Sequence, residues 1–568
     1  MKRQGTLRIR FLSVGILLLG VLLTTRLYYV QILHGEELSY KADRQYVRPN
    51  NAMFNRGDIF FSTKDGERVS AATLKTGFIV SINPTLIENA EEAYNELSSR
   101  IELDRGEFFA KAGKSGDPYE EITSKVPNTI GQEIASLELP GVQIHKQQWR
   151  YYPGNVMASH TVGVVAYSGD ELAGRYGLES FYEQILGRSE SNVYVNFFAE
   201  IFSNIRDTIT YSKEKEGSIV TSIEPTVQTY LEQILGSVQE EWSSETMGGI
   251  IMDPNSGEII AMAALPTFDP NKLSEVEDIS VFKNPLVENV YEMGSIVKPL
   301  TLAAGLDSGV ITPNTTYYDA GYLVLNGSRI QNYDGKGRGT VNMQEVLNQS
   351  LNTGAAFVAK SIGNEKFSNY MYSYGIGKKS EVDLPNDARG LVSNLESPRD
   401  IEHATASYGQ GIAFTPMTMT RALATLANGG KLVTPHVVKE IDYSVGISKK
   451  IEYEDAPRVL KESTVEDISR MLTTVVDDAL LDGEAKMDRY SIAAKTGTAQ
   501  IPSNDGGYHD DRFLHTFFGY FPSYDPKFLV FLFNNNPRGV RYASETLTHP
   551  FIDITEFLIN YYDIPPDR

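Results

Sequence analysis

The sequence of 568 residues contains no cysteine, only eight histidines and fewer basic than acidic residues. Without cysteine the chain can form no disulfide, no thiolate nucleophile and no Cys-ligated zinc or iron–sulfur site. With 52 Lys and Arg against 73 Asp and Glu, the formal net charge is −21, which argues against general binding to nucleic acid. The histidines are scattered, and we expect His509–His515 in a solvated loop without metal-binding spacing.

A Walker A motif and an internal repeat of 20–50 residues are absent as well, so neither ATP binding nor a solenoid is implied. We therefore expect no cofactor and no metal. The 41% of hydrophobic residues argues against a disordered chain. At roughly 100–200 residues per domain, the length predicts about three or four structural units.

Long hydrophobic runs are scarce, and only Phe11–Leu33 has the length of a membrane span. As one helix it would be about 35 Å long at roughly 1.5 Å per residue. The alternative is a cleaved signal peptide, but Arg26–Val30 stands where a small-x-small cleavage site would follow. We expect an uncleaved single-pass anchor. Basic residues before it place residues 1–10 in the cytoplasm and the large remainder outside; they are Lys2, Arg3, Arg8 and Arg10.

Beyond the anchor, the sequence pattern changes near Gly217. Residues 34–220 mix short strand patterns, helical stretches and charged turns, which predicts an α+β spacer that extends outward. Residues 221–568 run from strands through helices and back to strands, which predicts one antiparallel sheet flanked by helices. The main domain boundary is therefore expected at about residue 220.

Ser295 and Lys298 form the strongest local feature of the sequence. If a helix begins at Ser295, the two residues are three apart and share a face. Pro299 then falls in the first turn, where its missing N–H costs little, and Gly309 would end the helix. Apolar neighbours disfavour a charged ammonium, so Lys298 could be neutral and accept the proton of the Ser295 hydroxyl.

Spacing alone does not single out a site, because Ser212–Lys215, Lys75–Gly77 and Ser81–Asn83 repeat parts of the same patterns. The first lies in a charged run and is expected on the surface. The other two occur in reversed order in the spacer and are expected at turns and strand ends. The remaining matches follow in the order S-x-x-K, S-x-N and K-T-G and comprise Ser295, Lys298, Ser350, Asn352, Lys495, Thr496, Gly497 and Thr498.

This order of motifs resembles that of penicillin-binding proteins and serine β-lactamases. The resemblance extends over nearly the whole chain and is closest to class B penicillin-binding proteins, which are peptidoglycan DD-transpeptidases. It is also carried by Arg56–Ile59, Arg150–His160, Gly174–Gly187, Gly248–Gly257 and Tyr408–Pro416. The resemblance implies an α+β fold: one N-terminal transmembrane helix, an elongated pedestal of the dimerisation type over residues 34–220, and a transpeptidase domain over residues 221–568.

The resemblance also implies a role for each motif residue. Ser295 would attack the penultimate D-Ala carbonyl of a stem peptide, and Lys298 would take its proton. Ser350 would pass that proton to the leaving D-Ala, while Asn352 would hold Lys298 and the substrate amide.

The K-T-G motif would bind the other end of the substrate. Lys495 would attract its carboxylate, helped by the hydroxyls of Thr496 and Thr498. The backbone N–H groups of Ser295 and Thr498 would form the oxyanion hole. Gly497 would let the substrate approach the strand without a side chain in the way.

The family further implies the surroundings of the enzyme. Its site would lie outside the bacterial plasma membrane, and it would bind peptidoglycan stem peptides and β-lactams. Its membrane helix and pedestal would contact a polytopic membrane glycosyltransferase and other cell-wall synthesis proteins.

Three alternatives remain open at this point. A β-lactamase or penicillin sensor would share the motifs, but no Glu-x-x-Asn lies between Ser350 and Lys495 to hold a deacylating water. A scaffold with a vestigial site would not need the intact motifs. Within the class, Phe517–Pro526 is more similar to the division type than to the elongation type.

Ile501–Phe513 lies between the K-T-G strand and the next predicted strand. Its length and its turn-forming residues predict a mobile loop at the mouth of the site. A surface loop without a role is the alternative.

Overall fold

The structure is a computed structural model that describes residues 19–20, 22–23, 55–114, 116–168, 171–188, 216–444, 446–453, 456–503 and 506–568. Most of the predicted anchor Phe11–Leu33 and all of Ser212–Lys215 lie outside these residues. Within the described ranges no helix combines the length and the apolar character needed to cross a bilayer.

The α-helices follow the chain in an uneven distribution, with most of them after residue 225. They are α1 (Ala90–Ser98), α2 (Arg105–Ala112), α3 (Asn128–Ser136), α4 (Ser159–Val162), α5 (Gly177–Phe181), α6 (Glu183–Leu186), α7 (Pro225–Trp242), α8 (Lys298–Asp307), α9 (Met343–Asn348), α10 (Asn352–Ile362), α11 (Asn364–Ser373), α12 (Asp400–Ala406), α13 (Pro416–Ala424), α14 (Glu462–Thr474) and α15 (Ala543–Tyr561).

The strands fall mainly into two groups, one before residue 265 and one after residue 438. They are β1 (Ile59–Ser62), β2 (Arg68–Ile82), β3 (Glu120–Pro127), β4 (Val142–Tyr151), β5 (Val164–Ser168), β6 (Glu171–Tyr176), β7 (Gly217–Thr221), β8 (Thr246–Met252), β9 (Ile259–Leu265), β10 (Thr316–Asp319), β11 (Tyr322–Leu325), β12 (Ser328–Gln331), β13 (Gly339–Asn342), β14 (Val438–Tyr443), β15 (Ile447–Lys450), β16 (Ala493–Pro502), β17 (Tyr508–Phe521) and β18 (Phe528–Asn535).

The described chain forms two compact units, and the smaller one comprises Leu74–Trp149. In it, residues 77–82 of β2 pair antiparallel with β3, and helices α1, α2 and α3 supply the other side of the core. Leu97 and Phe108 are almost fully buried against Val80 and Ile82. The unit therefore has a hydrophobic core of its own.

The larger unit comprises Arg56–Thr73 and Arg150–Arg568. Its main sheet has five antiparallel strands in the order β16-β17-β18-β8-β9. A smaller sheet in the same unit joins β7 to β14 in antiparallel and to β1 in parallel orientation. The K-T-G motif lies on β16, which is an edge strand of the main sheet.

Both faces of the main sheet are buried, as its central strand β18 shows. Phe528, Val530 and Leu532 pack into one hydrophobic cluster, and the alternating Leu529, Phe531 and Phe533 pack into another. Helices α7 and α15 contribute to the first cluster, and α8 contributes to the second. Because side chains alternate between faces, a strand buried on both sides is continuously apolar. The predicted antiparallel sheet flanked by helices is confirmed.

The prediction of a long loop over Ile501–Phe513 is wrong. Strand β16 continues to Pro502 and β17 begins at Tyr508, with Gln500 paired to Phe513 and Pro502 to Tyr508. His515, expected in a solvated loop, is fully buried in β17, where its Nδ1 lies 2.9 Å from the Thr546 hydroxyl. Exposed strand residues carry no apolar alternation, so the sequence pattern resembled that of a loop.

A buried ion cluster joins three segments that are far apart in the sequence. The Arg56 guanidinium lies 2.5 Å from one Glu179 oxygen, and the Arg150 guanidinium lies 2.6 Å from the other. Arg56 also pairs with Glu183 at 2.6 Å, and Arg150 donates to the Gly57 carbonyl at 2.8 Å. Burial would raise the pKa of Glu179, but the two guanidinium groups outweigh it and hold that pKa below its usual value.

Replacing Glu179 with alanine should destabilise the larger unit strongly. The substitution leaves the buried guanidinium groups of Arg56 and Arg150 without their shared carboxylate. Breaking a buried pair by removing one partner costs about 3–5 kcal/mol, which urea denaturation of the purified protein would measure.

Glu183→Ala is the matched control, because the Glu183 side chain is 38% exposed. Its only ion pair among the described residues is with Arg56, and it also accepts from the Gly174 N–H at 2.7 Å. Its loss should be well under half of that for Glu179→Ala. Equal losses in the two variants would contradict the central position of Glu179.

Candidate active site

The turn that carries Ser295 lies directly against the edge strand β16. Gly294–Val297 forms one 3-10 turn that leads into α8, so Ser295 precedes the α-helix rather than starting it. Gly294 has a positive φ of 64°, and a Cβ there would lie 3.0 Å from the Thr498 carbonyl oxygen. Only glycine combines this backbone conformation with so close an approach. Gly294 thus brings Ser295 to the K-T-G strand.

The helix that follows begins three residues later than predicted, at Lys298, and ends before Gly309 as predicted. Pro299 lies in its first turn, where a missing N–H costs no hydrogen bond. At the other end Gly309 adopts a positive φ of 74° and donates to the Leu306 carbonyl at 3.0 Å, and Val310 donates to the Gly305 carbonyl at 3.2 Å. These two bonds form a Schellman motif, which satisfies the last carbonyls of the helix.

The Lys298 amine lies between two serine hydroxyls. Its Nζ is 2.9 Å from Ser295 Oγ and 3.1 Å from Ser350 Oγ, and it donates to the Ser350 carbonyl at 2.6 Å. Ser350 has a positive φ of 52° in the turn between α9 and α10. This turn directs both oxygens of Ser350 toward the amine. Ser295 in the turn before α8 and Lys298 at the start of α8 thus lie next to Ser350, which follows Lys298 by 52 residues in the sequence.

The amine of Lys298 is buried without a carboxylate partner among the described residues. The residue is 0% exposed. Burial, followed by the positive charge of Lys495, lowers the pKa of Lys298 well below its usual value. A neutral amine 2.9 Å from a serine hydroxyl can accept the hydroxyl proton as a general base.

Lys495 places a second cation at the site. It is 3% exposed on β16, and its ammonium donates to the Thr496 carbonyl at 3.1 Å. Burial lowers the pKa of Lys495 to about 8, so this group is still largely charged at pH 7. One lysine can therefore be a base while the other attracts an anion.

The edge position of β16 leaves one side of its backbone free of strand partners. Thr498 lies on this strand, and its hydroxyl accepts from the Ala543 N–H at 3.1 Å. Gly497 has a different role from the predicted one, because a Cβ there would lie 2.3 Å from Thr516 Oγ1 and 3.0 Å from the Met293 carbonyl. Its missing side chain makes room for Thr516 and for the turn before Ser295.

Asn352 lies at the beginning of α10, two residues after Ser350. Its side-chain amide donates to the Gln331 carbonyl at 2.9 Å, and no hydrogen bond joins it to Lys298 in the described part of the chain. The expectation that Asn352 holds Lys298 is therefore not met in this structure. The bond to Gln331 instead ties the S-x-N motif to β12.

A cleft of about 580 Å³ collects these residues. Ser295, Ser350, Asn352, Lys495, Thr496 and Thr498 all line it. Six further lining residues were not among the predicted site residues: Arg329, Tyr333, Tyr408, Gln410, Arg541 and Tyr542. Tyr408 and Gln410 belong to the segment Tyr408–Pro416 that carries the family resemblance, whereas the other four lie in no recognised motif.

The two repeated patterns in the spacer, Lys75–Gly77 and Ser81–Asn83, both begin on strand β2. Lys75–Gly77 and Ser81 lie within β2, and the Ser81 hydroxyl donates to the Gln143 carbonyl at 3.4 Å. Ser81 is fully buried in the smaller unit. A buried strand residue with this contact agrees with the strand interpretation.

Comparisons with known proteins agree with this arrangement. The chain is 29% identical to Stage V sporulation protein D of Bacillus subtilis over 97% of this chain and 85% of that protein. It is 25% identical to the peptidoglycan D,D-transpeptidase FtsI of Buchnera aphidicola, over 96% and 94% of the two chains. The crystal structure of penicillin-binding protein 2X from Streptococcus thermophilus has a similar fold, with a TM-score of 0.74, 19% identity and coverage of 90% of this chain and 80% of that one.

Two family models match successive parts of the chain. The penicillin-binding protein dimerisation domain matches residues 55–221, and the penicillin-binding protein transpeptidase domain matches residues 247–555. The second match covers more than half of the chain and contains all eight motif residues. With its dimerisation domain ahead of its transpeptidase domain, the chain belongs to the class B penicillin-binding proteins.

Proposed function

We propose that this protein is a serine DD-transpeptidase that crosslinks peptidoglycan stem peptides and is acylated by penicillin. The observation that carries the proposal is the buried Lys298 amine, which lies 2.9 Å from Ser295 Oγ and has no carboxylate partner in the described ranges. The relatives named peptidoglycan D,D-transpeptidases support the substrate class.

In the first step Ser295 Oγ attacks the carbonyl of the penultimate D-Ala. Lys298 takes the hydroxyl proton as the new C–O bond forms, and negative charge develops on the carbonyl oxygen. The N–H groups of Ser295 and Thr498 would stabilise that charge. The close approach of Gly294, the residue before Ser295, to the Thr498 carbonyl supports this assignment.

In the second step the C–N bond to the terminal D-Ala breaks. The leaving amine takes up the proton held by Lys298, and Ser350 relays it because its hydroxyl is 3.1 Å from the amine. An amine of a second stem peptide then attacks the ester, and Ser295 recovers its proton. Penicillin follows the same attack and the same C–N cleavage, which opens its β-lactam ring, but the leaving amine stays covalently attached to the acyl group and the ester to Ser295 persists.

The second cation and the polar residues orient the donor. Lys495 attracts the terminal carboxylate, and the hydroxyls of Thr496 and Thr498 assist it. Asn352, held by the Gln331 carbonyl, is placed to bind the donor amide. These roles use the edge strand β16 as a template along which the donor lies in extended form.

Ser295→Ala should abolish penicillin acylation of the purified full-length protein. Intact-mass analysis after incubation with benzylpenicillin should show one adduct on the unmodified protein, mapped to the peptide that contains Ser295, and none on the variant. Lys298→Ala should slow acylation by about 10²–10⁴-fold, because it removes the general base.

Ser212→Ala is the matched control, since Ser212 and Lys215 repeat the S-x-x-K spacing elsewhere. Its acylation should equal that of the unmodified protein. A persistent adduct on Ser295→Ala would contradict the proposed nucleophile.

The second-order acylation rate constant should show a bell-shaped pH dependence. The rate should rise as Lys298 loses its proton, in a range well below the usual lysine pKa. It should fall above about pH 8, where Lys495 loses the charge that attracts the penicillin carboxylate. The pH dependence of this rate constant reflects the ionisable groups of the free enzyme. Acylation reactions quenched at set times over a series of pH values would measure both limbs.

Lys495→Arg provides the control, because arginine keeps its charge throughout this range. The falling limb should move to higher pH in this variant while the rising limb stays in place. If the decrease in rate stays near pH 8 in Lys495→Arg, a group other than Lys495 causes that decrease.

We also propose that Phe11–Leu33 is a single membrane anchor in the bacterial plasma membrane, with residues 1–10 in the cytoplasm. Residues 34–220 would form the pedestal and residues 221–568 the extracytoplasmic transpeptidase domain. The basic residues before the uncharged run support this orientation. The match to the dimerisation domain supports the pedestal. Its contact with a polytopic glycosyltransferase is proposed from the resemblance to class B penicillin-binding proteins.

Within the class we propose a role in cell division. The similarity of Phe517–Pro526 to the division type supports this role. Stage V sporulation protein D and MrdA, an enzyme of Acinetobacter baumannii, are also similar to the chain. The shape of cells that lack the protein therefore distinguishes a role in division from a role in elongation.

Depletion of the protein in the source bacterium should produce filamentous cells.

A copy that has an unrelated membrane helix of equal length in place of Phe11–Leu33 should not restore normal cell length. That copy should also fail to co-purify the glycosyltransferase, because the native helix supplies part of the contact. Re-expression of the unmodified chain is the control. Rounded cells would indicate elongation instead, and full rescue by the exchanged helix would indicate a passive anchor.

A further inference from the structure

The cleft that contains Ser295 has a strongly one-sided charge. Of the described residues that line it, Arg329, Lys495 and Arg541 are basic and none is acidic. The chain as a whole has a net charge of −21, so this concentration of positive charge is opposite to the overall balance. A cleft of this kind favours a ligand with more than one negative charge.

Lys495 accounts for only one of these charges, because the terminal carboxylate of the donor neutralises it. The guanidinium groups of Arg329 and Arg541 form no ion pair in the described part of the chain, and both side chains are exposed. By contrast, neighbouring arginines are paired, since Arg338 lies 2.8 Å from Asp334 and Arg538 lies 3.2 Å from Glu245. Two cations at the cleft are therefore available to a ligand.

Of these two, Arg541 contacts β17, the strand paired with the K-T-G strand, and lies two residues before a contact with the K-T-G strand itself. Its carbonyl lies 3.0 Å from Nε2 of the buried His515, and two residues later the Ala543 N–H donates to Thr498 Oγ1. The guanidinium lies 5.8 Å from the Phe513 ring and 5.6 Å from the Tyr542 ring. These contacts hold the backbone and the side chain of Arg541 beside the strand that receives the donor.

Distance also favours Arg541. Two residues of chain span at most about 7 Å, so the Cα of Arg541 lies within that distance of the Cα of Ala543. In an extended donor, the residue before the acylated D-Ala is one Cα step of about 3.8 Å away. Arg541 thus lies two residues from the Ala543–Thr498 contact and lines the same cleft as Ser295 and Thr498, where that donor side chain would lie.

We propose that Arg541 binds a free carboxylate on the donor residue that precedes the acylated D-Ala, so that the preferred stem peptides carry this carboxylate unamidated. Arg329, whose guanidinium lies 4.1 Å from the Tyr322 ring, adds positive charge where strand β12 lines the cleft. The inference rests on the proposed transpeptidase function. A planar guanidinium pairs with a carboxylate through two parallel hydrogen bonds, which a carboxamide cannot match.

The test compares two pairs of acylating probes on the full-length protein in detergent. One pair is N-acetyl-glutamyl-D-alanyl and N-acetyl-glutaminyl-D-alanyl thioester, which differ only in carboxylate against carboxamide. The other pair is α-carboxybenzylpenicillin and benzylpenicillin, which differ by one carboxylate on the acyl side chain. The second-order rate constant of acylation is measured for each probe by intact mass.

Arg541→Gln should lower the rate ratio of carboxylate to uncharged probe by about three- to tenfold, as expected for an exposed charge-assisted pair. Arg541→Lys should restore part of the ratio. Arg538→Gln is the matched control, because it removes one positive charge from the same loop, from a guanidinium paired with Glu245. Its ratio should stay within twofold of the unmodified protein.

An unchanged ratio in Arg541→Gln for both probe pairs would overturn the carboxylate site, and so would an equal decrease in Arg538→Gln. Should the thioesters react too slowly to measure, the penicillin pair decides alone. Failure of benzylpenicillin to acylate the unmodified protein would instead overturn the proposed transpeptidase function, so the two failures are distinguishable.

Discussion

The site depends on one costly arrangement, the burial of the Lys298 amine with no carboxylate partner among the residues that the structure describes. A buried ammonium is unfavourable, so the fold favours the neutral form, and the neutral form is the one that can accept a proton. The surrounding structure maintains this burial. Gly294 and Ser350 adopt backbone conformations that favour glycine, and each brings a partner of Lys298 within reach.

The rigidity that holds this arrangement comes from packing away from the cleft. Strand β18 is buried on both faces, with alternate side chains in two hydrophobic clusters. The helix that contains Lys298 packs into one of these clusters through Leu300 and Leu302. A helix anchored along its apolar side cannot shift easily to let water reach the amine. The favourable packing free energy that offsets the burial of Lys298 therefore comes from many residues of the core.

Charge is used in opposite ways in the two regions that the sequence motifs mark. In the ion cluster, Glu179 has a guanidinium on each carboxylate oxygen, and every charge is compensated. In the cleft, the cations Lys495, Arg329 and Arg541 have no carboxylate partner among the described residues. Compensated charges stabilise the fold, whereas uncompensated charges in an open cleft leave binding free energy for an anionic ligand.

The sequence by itself determined the local features of this protein. The spacing of Ser295 and Lys298, the position of Pro299 and the end of α8 at Gly309 follow from backbone rules that act within a few residues, and so does the order of the three motifs. Only the tertiary structure decided the rest. It showed that Gly497 makes room for the turn before Ser295, that Asn352 contacts Gln331, and that residues 508–513 extend a strand. It also brought Arg541 to the cleft, because contacts between residues distant in sequence depend on how whole elements pack and leave no local pattern.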